Sequence, residues 1–137
     1  MYHKILVAMA LDHGISPETL EIARALRAEG GQIIALHVHE APQSTVRAYL
    51  DEDVIQAGFD AARKALTDKT AGLEGVTPVI LSGHSARSII DYAADNGVDC
   101  IVIGSHRPGL SDYFLGSTAA RVVRHAGCAV HVQRTRT

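Results

Sequence analysis

Short apolar runs recur along this chain, and segments with helical periodicity separate them. The run at residues 5–10 reads Ile-Leu-Val-Ala-Met-Ala and offers no polar side chain to water. Such a run is typical of a strand that is covered on both faces, as strands of parallel sheets are. The sequence also predicts strands at residues 33–38, 77–81, 99–103 and 129–133. A chain with this pattern needs helices on both sides of its sheet.

Four helices are predicted between these strands. The first begins at Ser16, which is followed by Pro17 and Glu18, so a capping residue precedes a first-turn proline and a first-turn acid. It is expected to end near residue 27, because Gly30 and Gly31 stop a helix. The other helices are predicted at residues 51–71, 85–95 and 116–126, and residues 42–50 are predicted to form a loop.

The alternation of strands and helices predicts the fold class. Strand–helix–strand units join parallel strands, so we expect a three-layer α/β/α fold with a doubly wound, five-stranded parallel sheet. Pro78 lacks a backbone N–H, which favours an edge position or a strand start for residues 77–81. The length of 137 residues fits a single domain over residues 1–137.

Composition argues against several classes of protein. Lys plus Arg number 13 and Asp plus Glu number 15, for a formal net charge of −2, so the chain lacks the basic field of many nucleic-acid binders. No apolar run approaches the about 18 residues that cross a bilayer, and the first residues do not resemble a signal peptide. Cys100 and Cys128 lie among aliphatic residues and are expected to be buried hydrophobes. We therefore expect a cytoplasmic protein that binds neither nucleic acid nor a membrane.

The residues after the fourth predicted strand have properties that suit a phosphate. Ligands of open α/β sheets bind outside the carboxyl ends of the strands. Glycines there let a ligand approach the backbone, the N–H groups of a helix start favour an anion, and arginine offers phosphate a charged fork. The alternative is that the glycines only form turns and that Ser117 only caps a helix. The candidates are Gly104, Ser105, His106, Arg107, Gly109, Gly116, Ser117 and Thr118.

Two common nucleotide-binding motifs do not occur: the chain has no Gly-Lys-Ser/Thr, and no GxGxxG follows the first strand. Several segments instead resemble the universal stress protein family over nearly the whole chain. They are residues 4–7, 83–90, 103–111, 115–117 and 122–126. The resemblance implies an adenine nucleotide α hydrolase-like fold with strand order 3-2-1-4-5, and frequently a homodimer.

Family members that bind ATP carry Gly-x2-Gly-x9-Gly followed by Ser or Thr. Gly104, Gly116 and Ser117 match the ends of this motif, whereas Arg107 replaces the middle glycine. The loop is one residue shorter than the motif, and Gly109 is its remaining glycine. Its Ser-His-Arg-Pro sequence is similar to that of the ATP-binding F- and G-type subgroup. The resemblance therefore implies ATP as ligand, with or without Mg²⁺.

Two further positions concern the adenine and ribose end of such a nucleotide. The family usually has an aspartate directly after the first strand, where this chain has Ala10. Asp12, two residues on, is the candidate substitute. The resemblance also implies that the backbone at Val38, where the second predicted strand ends, contacts adenine. Because a backbone contact tolerates substitution, the identity of this side chain carries no signal.

Three histidines are candidates for further roles. His37 and His39 are two residues apart, so a strand would point both to one face, as a metal pair requires. No Cys, Asp or Glu at a recognisable spacing completes a ligand set, so packing in the core or at its rim is the favoured interpretation, and no metal site is predicted. His106 either binds a phosphate or caps the turn.

Three functions of different classes remain. The leading hypothesis is an ATP-binding stress-response or signalling module that holds its nucleotide without rapid turnover. The alternative, which Ala10 and the short loop favour, is a homodimer that binds a protein partner and has a vestigial nucleotide site. An enzyme comes last, because phosphoryl transfer needs positioned carboxylates and only Asp12 and Asp112 lie near the predicted site. No catalytic residue is predicted.

The last predicted strand, which begins at Ala129 and ends at Gln133, is expected to form an edge of the sheet. The N–H and C=O groups of an edge are normally paired or protected. Two-fold pairing of identical strands is a simple way to achieve this. We therefore expect a homodimer through this strand.

Overall fold

The computed structural model describes residues 1–11, 16–40, 48–105 and 115–134. In these ranges five strands alternate with four helices, and all strand pairs are parallel, in the order β3-β2-β1-β4-β5. The predicted fold class and strand order are confirmed. The elements are β1 (Tyr2–Ala8), α1 (Ser16–Leu26), β2 (Arg27–His39), α2 (Glu52–Thr70), β3 (Val76–Ser82), α3 (Ser85–Asp95), β4 (Cys100–Ser105), α4 (Ser117–His125) and β5 (Ala129–Arg134).

Alternate side chains of the inner strands divide the core between the two faces of the sheet. Ile5 and Val7 of β1 pack on the side of α1 and α2, whereas Leu6 between them packs on the side of α3 and α4. All three side chains are fully buried. The continuous apolar run therefore reflects burial on both faces, as the sequence predicts.

β2 begins earlier than the sequence predicts. α1 ends at Leu26, close to its expected end, but β2 starts directly at Arg27. Tyr2 pairs with Arg27 and Lys4 with Gln32, so β2 carries extra residues opposite β1 and its register shifts there. Gly30 lies within this irregularity with φ of 76°, which glycine adopts without steric cost. The prediction that the glycine pair lies between helix and strand was wrong, because the pair forms a bulge inside the strand.

The remaining fold predictions concern the edges and the cysteines. β3 is an outer strand, which confirms the edge position expected from Pro78. Cys100 is buried and Cys128 is partly buried, and both are free thiols. Burial raises the pKa of the Cys100 thiol to about 11. No helix in the described ranges is long and apolar enough to cross a membrane.

Asp99 joins the beginnings of the two central strands. Its carboxylate accepts hydrogen bonds from the backbone N–H groups of His3 (2.8 Å) and Lys4 (2.9 Å), and its own N–H donates to the Lys4 carbonyl (3.0 Å). Partial burial raises the pKa of the Asp99 carboxyl, but the backbone hydrogen bonds together outweigh burial and hold the pKa below its usual range. The charged carboxylate therefore stabilises the fold.

We predict that Asp99→Asn lowers the free energy of unfolding by about 1 kcal/mol at neutral pH, because an amide oxygen replaces only one of the two acceptors. A depressed pKa stabilises the fold above the unfolded pKa, so the difference from wild type should shrink below about pH 4. Denaturant unfolding at several pH values measures this. Asp95→Asn, at a nearby exposed aspartate, is the control. A difference that stays constant down to acid pH would contradict the prediction.

Candidate functional site

The order of the strands defines one crevice. β1 and β4 are neighbours at the centre of the sheet, but α1, which follows β1, covers one face and α4, which follows β4, covers the other. The helices that follow these two strands thus lie on opposite faces of the sheet. In open α/β sheets ligands bind at such a switch point, outside the carboxyl ends of the strands.

A hydrogen bond links the end of β4 to the start of α4. Ser105, the last residue of β4, is nearly buried, and its Oγ accepts a hydrogen bond from the Gly116 N–H at 3.0 Å. The Gly116 carbonyl accepts from the Ala120 N–H at 2.8 Å and so begins the helical hydrogen bonding. The first turn of α4 is therefore anchored to the carboxyl end of β4.

The start of α4 is electrostatically suited to an anion. Gly116 is the N-cap residue and offers no side-chain acceptor, and the first turn contains no acidic residue. Arg124 and His125 occupy the last turn. The positive end of the helix dipole is thus not neutralised by the helix itself. Ser117 is the first helical residue, so the structure does not support the alternative that it acts as the N-cap.

Three hydrogen bonds hold the segment that leaves β1. The Met9 N–H donates to the Leu36 carbonyl at 2.8 Å, and the Met9 carbonyl lies 2.8 Å from His37 Nδ1. Two residues further on, the Leu11 carbonyl accepts a hydrogen bond from Lys69 Nζ at 3.0 Å. Ala10 lies between them and is partly buried. Neither side-chain contact was predicted, because His37 and Lys69 are 28 and 58 residues away from their acceptors in the chain.

The backbone of Val38 points toward the same end of β1. The Leu36 carbonyl bonds to Met9 on the β1 side, whereas the His39 carbonyl accepts from the Gly83 N–H (3.1 Å) on the β3 side. Hydrogen bonds alternate between the two sides of a strand, so the N–H and C=O of Val38 are directed to the β1 side, past the last residue of β1. The Val38 side chain is buried in the core.

The described candidates therefore lie together at the end of the sheet that is formed by the carboxyl ends of its strands. Ala10 follows β1, Val38 lies near the end of β2, Gly104 and Ser105 end β4, and the others begin α4: Gly116, Ser117 and Thr118. The structure does not describe the rest of the predicted set, which consists of Asp12, His106, Arg107 and Gly109. Asp112 also lies outside the described residues.

The histidine pair of β2 has packing partners. His37 contacts the Met9 carbonyl, and the His39 ring lies edge-on to Phe59 with 5.9 Å between ring centroids. The face of β2 that carries both rings is the one covered by α1 and α2, as expected from their spacing. Across the described ranges, no three His, Cys, Asp or Glu side chains are grouped so as to hold a metal ion.

Fold and site together define an α/β domain with an anion-suited helix start at the switch point. The model of the universal stress protein family matches residues 1–134, so the chain belongs to this family. Universal stress protein A homolog 2 of Coxiella burnetii is 31% identical over 94% of this chain and 92% of that protein. A universal stress protein of Methanothermobacter thermautotrophicus is 28% identical over 98% and 97%. Universal stress protein G of Escherichia coli O157:H7 is 26% identical over 98% and 100%.

Solved structures share the fold at low sequence identity. The hypothetical protein MJ0577 superposes with a TM-score of 0.83 at 24% identity and covers 100% of this chain and 99% of its own. A universal stress protein in complex with cAMP has a TM-score of 0.63 at 21% identity and covers 98% of both chains. The universal stress protein of Archaeoglobus fulgidus in complex with dAMP has a TM-score of 0.61 at 23% identity, and the match covers 96% of this chain and 97% of that chain.

We predict that Ser105→Ala lowers the free energy of unfolding by about 1 kcal/mol, because the Gly116 N–H loses its acceptor. Hydrogen exchange at the Gly116 amide should quicken in the variant. The control is Ser117→Ala, which removes the exposed hydroxyl of the residue after Gly116. It should change the free energy of unfolding by less than about 0.5 kcal/mol. Unchanged exchange at Gly116 in Ser105→Ala would contradict the anchoring role of Ser105.

Proposed function

We propose that this chain binds an adenine nucleotide at the carboxyl ends of β1 and β4 and acts as a nucleotide-dependent stress-response or signalling protein. The observation that carries the proposal is the bond between Ser105 and Gly116. It holds the uncapped start of α4 against the end of β4, at the switch point of the sheet. The nucleotide phosphates would lie at this helix start.

The opposite end of the ligand would lie at the end of β2. An adenine base needs a donor and an acceptor at one edge, and the N–H and C=O of Val38 offer this pair on the β1 side. The bonds that hold Met9 and Leu11 stiffen the neighbouring backbone. A binding surface that is already ordered costs less conformational entropy when a ligand arrives.

ATP is the nucleotide that we propose, with or without Mg²⁺. The complexes of two related folds with cAMP and dAMP support an adenine nucleotide in general. The sequence motif of Gly104, Gly116 and Ser117, together with Arg107, supports a longer phosphate chain. With a net charge of −2 the chain has no general attraction for anions, so phosphate recognition would depend on local N–H groups and on Arg107.

The proposed site holds its nucleotide without rapid turnover. Its described members are small, apolar or hydroxyl-bearing residues, and none of them is a carboxylate that could hold Mg²⁺ or activate water. We expect phosphate release from ATP to stay at the level of a heat-inactivated control. Release well above that level, abolished by Asp12→Ala, would instead indicate an enzyme.

The nucleotide proposal is tested on purified protein. Denaturing the protein and separating the supernatant by ion-exchange chromatography should reveal an adenine nucleotide that copurified. If the site is emptied during purification, added ATP should raise the melting temperature, because a ligand that binds only the folded state stabilises it. If no nucleotide copurifies and added ATP does not shift the melting temperature, the alternative of a vestigial site is favoured.

Gly116→Ala separates binding from folding. Gly116 has φ of −53°, and an added Cβ would lie 3.6 Å from Ser105 Oγ, an ordinary contact, so the free energy of unfolding should fall by no more than about 1 kcal/mol, the usual cost of alanine at an N-cap. The methyl group would crowd phosphates at the helix start, and we predict about a tenfold weaker affinity for ATP by calorimetry, or about 1.4 kcal/mol.

The matched control is Gly127→Ala, at the other end of α4, where an added Cβ meets nothing within 4 Å. It should change neither stability nor ATP affinity. If Gly116→Ala folds normally and binds ATP as tightly as wild type, phosphates do not approach the start of α4.

We also propose that the chain forms a homodimer through β5. This strand pairs with β4 on one side and forms an outer edge of the described sheet, and such an edge is normally protected. Pairing with the same strand of a second copy is the simplest protection. Light scattering at micromolar concentration should give twice the mass of the chain, and the mass of a monomer would contradict the proposal.

A further inference from the structure

A second concave surface lies on the side of the sheet that α1 and α2 cover. Between these helices is a slot of about 300 Å³. Its floor is apolar and consists of Met9, Leu20 and Leu73. Met9 and Leu20 belong to the buried core cluster of this face, and Leu73 packs against it. The slot is at the lower end of the size range of small-molecule sites.

The rim of the slot is charged. Among the described residues that line it, Glu21 and Arg24 of α1 and Lys69 of α2 contribute one negative and two positive groups. In the part of the chain that the structure describes, Arg24 forms no ion pair with a carboxylate. Lys69 Nζ donates to the Leu11 carbonyl at 3.0 Å, which holds the ammonium group beside the slot. An ammonium group has three N–H donors, and the described part of the chain shows a hydrogen bond for one of them.

We propose that this slot binds a small amphipathic carboxylate, an organic acid with an unbranched apolar tail of medium length. The tail lies on Met9, Leu20 and Leu73, and the carboxylate lies at the rim between Arg24 and Lys69. An amphipathic cation is disfavoured, because the described residues of the rim carry two positive groups and one negative group, Glu21. A nucleotide does not fit, because the apolar floor offers few partners for the polar edges of a base.

The slot is separate from the proposed nucleotide site. None of the described nucleotide-site candidates lines it. Met9 contributes its side chain to the slot, whereas its backbone bonds to Leu36 and His37 of β2. The inference therefore does not depend on whether the chain binds ATP, and a failure of either proposal leaves the other intact.

The physical chemistry of the slot predicts a dependence on tail length. Each methylene group removed from water should tighten binding about fourfold until the slot is full. The exposed ion pairs at the rim add less, about twofold to fivefold in affinity at low salt. Octanoate should therefore bind more tightly than hexanoate, and more tightly than octylammonium of the same tail length.

Methionine NMR gives a direct test with an internal control. The chain has two methionines: Met1, which is 81% exposed at the chain start, and Met9, which is 5% exposed at the floor of the slot. In protein labelled with ¹³C at the methionine methyl groups, octanoate should shift the Met9 signal in a saturable manner and leave the Met1 signal in place. Hexanoate should need a higher concentration for the same shift.

Two variants complete the test. Arg24→Gln should lower the affinity for octanoate about twofold to fivefold. Lys64→Gln, which changes a residue of α2 outside the slot, should leave this affinity unchanged. Leu73→Trp should fill the slot and abolish the Met9 shift, and a normal unfolding curve would show that this variant folds. No saturable Met9 shift with millimolar octanoate would overturn the proposal, and so would equal binding of octylammonium.

Discussion

Burial of β1 and β4 on both faces determines how the other elements of the fold are arranged. The central residues of both strands are almost completely removed from water, among them Ile5, Val7, Ile101 and Val102. Two such strands require helices on both sides, and the helices that follow them pack on opposite faces. The crevice at their carboxyl ends follows from this connectivity rather than from any single side chain.

Short polar contacts then complete the edge of the crevice. Ser105 anchors the start of α4, while His37 and Lys69 hold the carbonyl groups of the segment that leaves β1. These contacts order the backbone around the proposed nucleotide site. Lys69 of the last contact also lines the apolar slot between α1 and α2.

Much of the fold was predictable from the sequence, because burial on both faces leaves uninterrupted apolar runs and helix starts leave capping patterns. The bulge of β2 was not predictable, because a glycine pair such as Gly30 and Gly31 is equally compatible with the end of a helix and with a bulge in a strand. That the described candidates after β1 and on β2, β4 and α4 lie at the carboxyl ends of the strands could be predicted from the family resemblance and the strand ends, whereas their role as a binding site stays a prediction. The contacts of His37 and Lys69 could not, because they depend on tertiary packing between distant residues, and neither could the slot.

Backbone amide signals followed by NMR during an ATP titration show whether a nucleotide binds at the carboxyl ends of β1 and β4. We predict saturable shifts at Ala10, Val38, Gly104 and residues 116–118, which lie far apart in the chain and come together only at the carboxyl ends of β1, β2 and β4. The signals of amides at the opposite end of the sheet, such as the amide of Asp99, should not shift. Shifts confined to other surfaces, or no shifts at millimolar ATP, would contradict nucleotide binding at this site.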